Sequence, residues 1–207
     1  FMPDAQNIPI TSYDLIEADG VHVFYREAGP ADAPVILLRH GFPTSSFQYR
    51  DLIPRLADRY RVIAPDLPGF GFTEVPAERK YVYNFDSLAR TIFAFIEALN
   101  LTRYAIYVFD YGAPTGFRLA LMAPERITAV VSQNGNAYEE GLGDAWQPIQ
   151  RFANHLHHHG GIHRIADGED RQAAARIERI RSEHRADAVG QAFLLPHAFP
   201  QPRRERA

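Results

Sequence analysis

The chain has 207 residues, 46% of them hydrophobic and 12% aromatic, enough for one globular domain with a sizeable core. A net charge of −3 and a pI near 6.3 point away from nucleic acid and from anionic membrane surfaces. There is no cysteine, which excludes disulfides and thiolate chemistry, and no apolar run reaches the ~20 residues of a membrane span. The N-terminus lacks the basic start and apolar stretch of a signal peptide, so a cytoplasmic location is expected.

Residues 12–17 and 21–27 alternate apolar and polar side chains around Ala18-Asp19-Gly20, the pattern of a β-hairpin with an Asp/Gly turn. Residues 34–39 form an apolar run of the kind that fills a buried parallel strand. His40-Gly41-Phe42-Pro43 follows, where Pro43 forces a sharp turn, and a helix over 47–56 is expected, capped by Thr44, Ser45 or Ser46. Residues 60–65 are the next buried strand, leading into the Gly- and Pro-rich loop Asp66-Leu67-Pro68-Gly69-Phe70-Gly71.

Leu88, Ile92, Phe95, Ile96 and Leu99 recur at three- and four-residue spacing and predict a helix over 84–99 with one core face. Tyr104–Phe109 is an apolar, β-branched and aromatic strand, Gly112–Met122 is a helix, and one acid, Asp110, sits between them. Residues 127–132 make a further strand. Strands alternating with helices predict an α/β fold: a mostly parallel sheet, right-handed crossovers, helices on both faces and an N-terminal antiparallel hairpin. Chemistry in such sheets gathers beyond the carboxyl ends of the strands, where the loops starting at His40, Asp66 and Asp110 all begin.

A carboxylate in a tight turn at the end of a buried strand is costly to place. Val108, Gly112 and Ala113 give Asp110 the slim neighbours of a nucleophile elbow, a strained strand-to-helix turn that projects one side chain over the sheet. The following helix directs its N-terminal N–H groups at the acid. The competing reading is an ordinary helix N-cap. In elbow geometry the backbone N–H groups of Phe42 and Tyr111 form an oxyanion hole. His40 is expected to brace its loop rather than react, with Gly41, Pro43 and Gly112 supporting the turns, and the Asp66 loop is read as structural.

The motifs His40-Gly41-Phe42-Pro43, Asp66-Leu67-Pro68-Gly69-Phe70-Gly71 and Asp110-Tyr111-Gly112, in this order and at these strand ends, resemble the α/β-hydrolase superfamily over residues 12–150. The likeness is strongest to the branch of epoxide hydrolases and haloalkane dehalogenases. It implies a two-step reaction on a small hydrophobic organic substrate, with no cofactor. The Asp110 carboxylate displaces an epoxide oxygen or a halide, and a histidine paired with a second acid then activates water to hydrolyse the ester. Dehalogenases usually have Asn where this chain has Phe42, and Trp where it has Tyr111. Phe42 with Pro43 looks more like epoxide hydrolases, which also tend to have Trp after the nucleophile. The leading expectation is therefore an epoxide-hydrolase-like enzyme, with a haloalkane dehalogenase as one alternative and an inactive fragment or binding module as another.

After about residue 150 the texture changes: the last 57 residues hold seven of the nine histidines and lack Lys, Tyr and Trp. No histidine there follows a strand of buried type, so the catalytic histidine of the resemblance has no assignable position. Residues 1–135 are expected to be an incomplete hydrolase core, and 136–207 a partial helical lid or a non-homologous or disordered tail. The histidines at 155, 157, 158, 159 and 163 are read as a solvated tract rather than a metal site. A sheet lacking its last strands is expected to expose an edge and to oligomerise through it.

Overall fold

The structure is a computed structural model that describes residues 9–135; the expected helical or irregular tail and its histidine tract lie outside the described residues. Six strands form one sheet in the order β1-β2-β4-β3-β5-β6. They are β1 Ser12–Ala18, β2 Val21–Ala28, β3 Val35–Arg39, β4 Arg61–Pro65, β5 Tyr104–Phe109 and β6 Ile127–Gln133. β2 runs antiparallel to β1 and β4, whereas β3, β4, β5 and β6 pair in parallel. The fold is the expected α/β architecture with its N-terminal hairpin. Asp19 and Gly20, both at positive φ, make the two-residue turn whose twist matches that of the strands.

The parallel strands are rich in Val, Ile, Leu and aromatic residues because both their faces are covered. On one face Leu37, Ile63, Ile106 and Val108 pack with Leu88, Ile92, Phe95 and Ile96 of α2 (Phe85–Ala98) and Leu119 of α3 (Gly112–Met122). On the other face Leu38, Val62 and Ala64 pack with Tyr49 and Ile53. Asn84 caps α2 by accepting the Ser87 N–H at 2.8 Å. The helix ends where Asn100 turns left-handed and the Leu101 N–H reaches back to the Ile96 carbonyl.

One expectation needs correction. Residues 47–56 are not a single helix: a 3₁₀ turn, Ser46–Tyr49, is followed by the short α1, Ile53–Leu56. Pro54 is the reason, since it lacks the N–H that would bond the carbonyl four residues back and its ring clashes with that carbonyl, so Pro54 fits only in the first turn of a new helix. Ser45 does cap the first piece, accepting the Phe47 N–H.

Arg39, the last residue of β3, is fully buried. Its Nη2 donates to Thr115 Oγ1 at 3.3 Å, while Nε and Nη1 have no hydrogen-bond partner among the described residues. Burial pulls its pKa down to about 10. A buried, half-satisfied cation costs more than an apolar chain of similar length. Arg39→Met is therefore expected to stabilise the fold by about 1–3 kcal/mol; urea denaturation checks this, and a lower midpoint for the variant would contradict it.

Candidate active site

The site lies beyond the carboxyl ends of β3, β4 and β5, where three loops meet. β5 ends at Phe109, and Asp110 takes a left-handed backbone with φ 49°. For a residue other than glycine that conformation costs about 1–3 kcal/mol and persists only where its surroundings enforce it. Two enforcing features are visible. α3 starts at once, with the Ala113 N–H donating to the Asp110 carbonyl at 2.9 Å. Close packing also leaves no room for side chains at two positions. A Cβ at Gly112 would overlap the Arg39 carbonyl, and one at Gly41 would sit 2.5 Å from Asp110 Cβ.

The Asp110 carboxylate is half-buried and asymmetric. Oδ1 accepts the Tyr111 N–H at 2.6 Å and the Phe42 N–H at 2.8 Å. Oδ2 receives no hydrogen bond among the described residues. An ordinary N-cap would hold an N–H two or three residues into the helix. Asp110 instead holds its immediate neighbour and a residue from another loop, and Tyr111 occupies the cap position of α3 with no side-chain capping bond. Asp110, Phe42 and Tyr111, singled out from sequence, are thus brought together at one oxygen atom.

The remaining residues of the first loop sit around this point. Pro43 follows Phe42 through a cis peptide bond and is exposed. His40 is fully buried beneath the site. The Leu67 N–H donates to its Nε2 at 2.9 Å, which leaves the proton on Nδ1 to donate to the Gly41 carbonyl at 3.0 Å. Both ring nitrogens are used in tying the His40 loop to the Asp66 loop. Burial lowers the His40 pKa to about 4, keeping the ring neutral.

Asp66 ties the loops a second time. It is fully buried, its Oδ1 accepts the Ser46 N–H at 2.6 Å, and its Oδ2 accepts the Phe72 N–H at 2.9 Å. Composition drew attention to this loop's glycines; its acid does the joining.

An aromatic surround was not singled out from sequence. The Tyr111 ring lies 5.5 Å from Phe42 and 5.3 Å from Phe85 between centroids, and Phe70 lies 6.2 Å from Phe42 and 5.4 Å from His40. Phe42 remains 59% exposed. The signal available in the sequence was the density of Phe in polar loops, where solvation alone would not select it. Among the described residues no group of His, Asp and Glu has a metal-binding arrangement, and no helix is long and apolar enough to cross a membrane.

Comparison with known proteins gives the following. The sequence model of the family described as alpha/beta hydrolase fold matches residues 34–152. The chain is 58% identical over 147 residues to an uncharacterized hydrolase of Saccharomyces cerevisiae, covering 70% of this chain and 50% of that protein. It is 40% identical over 134 residues to haloalkane dehalogenase 2 of Mycobacterium bovis, covering 65% and 45%. The crystal structure of an epoxide hydrolase from Vigna radiata superposes with a TM-score of 0.53 at 34% identity, covering 59% of this chain and 39% of that one. The chain spans about half the length of the curated relatives it matches.

The His40 clamp has a pH signature. The folded ring resists protonation down to about pH 4, whereas the unfolded ring takes up a proton near pH 6.5. The stability it contributes is complete above pH 6.5 and is lost as pH falls toward 4, amounting to about 3 kcal/mol. Across that window the native chain should lose more stability than His40→Gln. Parallel stability–pH curves for the two would contradict the clamp.

Proposed function

Because the chain belongs to the α/β-hydrolase fold family, we propose that Asp110 is the nucleophile of a hydrolase that works through an alkyl-enzyme ester, most like an epoxide hydrolase. The observation that carries this reading is the division of labour within one carboxylate. Two backbone N–H groups hold Oδ1, and Oδ2 has no partner among the described residues.

Oδ2 attacks an electrophilic carbon of a small apolar substrate and becomes the ester oxygen. Oδ1 becomes the ester carbonyl oxygen, already between the Phe42 and Tyr111 N–H groups. When water adds to Cγ, negative charge develops on Oδ1. Fixed donors aimed at the atom that gains charge are worth several kcal/mol because they need no reorganisation at the moment of reaction. The positive end of α3 acts in the same sense. A haloalkane substrate fits the same scheme, with halide leaving in place of the epoxide oxygen.

A second reading rests on the histidines. Among the described residues there are two. His40 has both nitrogens engaged, and His22, on β2, lies 3.8 Å from Glu74 across a surface bridge. Neither is free to activate water at Asp110. Were these the only bases within reach of Asp110, the chain would form the ester once and not turn over, which is the inactive-fragment alternative expressed as chemistry.

Single-turnover mass spectrometry with epoxide and haloalkane panels tests the nucleophile. A substrate-derived mass is expected on the Asp110 peptide and none in Asp110→Asn. No adduct from any member of either panel would sink the reading. Steady-state product release above the Asp110→Ala background would set aside the single-turnover alternative, and halide release from a bromoalkane without epoxide opening would favour the dehalogenase variant.

A further inference from the structure

The hairpin of β1 and β2 carries apolar side chains on both faces, although an antiparallel pair needs only one face against the core. Val21, Val23 and Tyr25 of β2 supply that core face. The register Tyr13↔Arg26 and Leu15↔Phe24 gathers these four side chains on the opposite face. There Tyr13 is 71% and Leu15 49% exposed, so core packing does not account for them. The loop after β4 crosses the same face. The Phe24 N–H donates to Thr73 Oγ1 at 3.0 Å, and the Phe72 ring, 64% exposed, lies 5.1 Å from that of Phe24.

The result is a cleft of about 870 Å³ bordered by Tyr13, Phe24 and Phe72, with Arg26 in its wall. Phe24 is buried and forms the floor, and Tyr13 stacks on it with centroids 6.1 Å apart. The Arg26 guanidinium is held in place. It lies over the Phe24 and Phe47 rings, at 5.3 and 5.5 Å, and its Nε donates to Ser46 Oγ at 3.1 Å. Its two Nη atoms have no partner among the described residues. The acids on the rim have partners: Asp14 Oδ1 accepts the Leu15 N–H at 2.8 Å, and Glu74 lies 3.8 Å from His22 Nδ1. A guanidinium already fixed by two rings and one hydrogen bond loses little side-chain freedom when a carboxylate takes its remaining donors.

We propose that this cleft is a second ligand site, separate from Asp110, which takes an aromatic carboxylate. The acid sits on the Arg26 Nη atoms and the ring on Phe24, between Tyr13 and Phe72. A neutral aromatic satisfies only the rings and an aliphatic acid only the guanidinium, so the two together define the class. The proposal does not depend on the reaction at Asp110, because none of the cleft residues belongs to that site.

Isothermal titration of the 207-residue chain with 2-naphthoate tests the site. 2-Naphthalenemethanol serves as a probe with the same rings and no charge. Saturable naphthoate binding is expected, with the alcohol binding ~10-fold more weakly and Arg26→Gln weakening naphthoate by a similar factor. Phe72→Ala removes an exposed ring, keeps the fold as judged by an unchanged urea midpoint, and should weaken naphthoate ~10-fold as well. Phe42→Ala, which removes a ring beside Asp110, should leave naphthoate binding unchanged. Absence of saturable binding, full affinity in Arg26→Gln or Phe72→Ala, or a loss of binding in Phe42→Ala would overturn the proposal.

Discussion

One oxygen atom organises this structure. Asp110 Oδ1 accepts hydrogen bonds from the N–H of Tyr111, its sequence neighbour, and of Phe42, 68 residues earlier. For both donors to reach the same atom, β3 and β5 must lie side by side and end at the same height, which their parallel pairing from Val35↔Tyr104 to Arg39↔Val108 provides. The left-handed turn at Asp110 and the missing side chains at Gly41 and Gly112 are further consequences of that convergence. Charge-assisted bonds of this kind are about twice as strong as neutral ones, which offsets the backbone strain that accompanies them.

The surrounding loops are held by buried polar groups rather than by regular structure. His40 and Asp66 each join two chain segments through backbone N–H groups, and each would be costly to bury without those partners. Arg39 is the exception, carrying donors with no partner among the described residues at the end of β3. Loops joined this way keep their shape while Asp110 Oδ2 is left without a hydrogen-bond partner among the described residues. That is the condition for a preorganised site.

Much of the fold was legible in the sequence because its signals are local. β-branched and aromatic runs marked the buried strands, and α2 announced itself through Leu88, Ile92, Phe95 and Ile96. Asp110 stood out because an acid at a buried strand end has few inexpensive explanations. Less was legible where the decisive contact is distant. The split of residues 47–56 turned on Pro54, a local signal outweighed by the apolar pattern around it. The roles of the Asp66 carboxylate and of Phe70 and Phe85 depend on which loops the topology brings together, and spacing along the chain does not encode that. Belonging to the α/β-hydrolase fold family fixes the topology. It leaves the reaction to be decided by residues such as Phe42 and Tyr111.

The central claim is that Asp110 Oδ2 attacks while Oδ1 stays between two N–H groups. A crystal structure of the chain after alkylation tests it most directly. The account predicts the alkyl group on the outward-facing oxygen, with the ester carbonyl oxygen still within hydrogen-bond distance of the Phe42 and Tyr111 nitrogens. An alkyl group on the oxygen between those nitrogens, or on a residue other than Asp110, would contradict it.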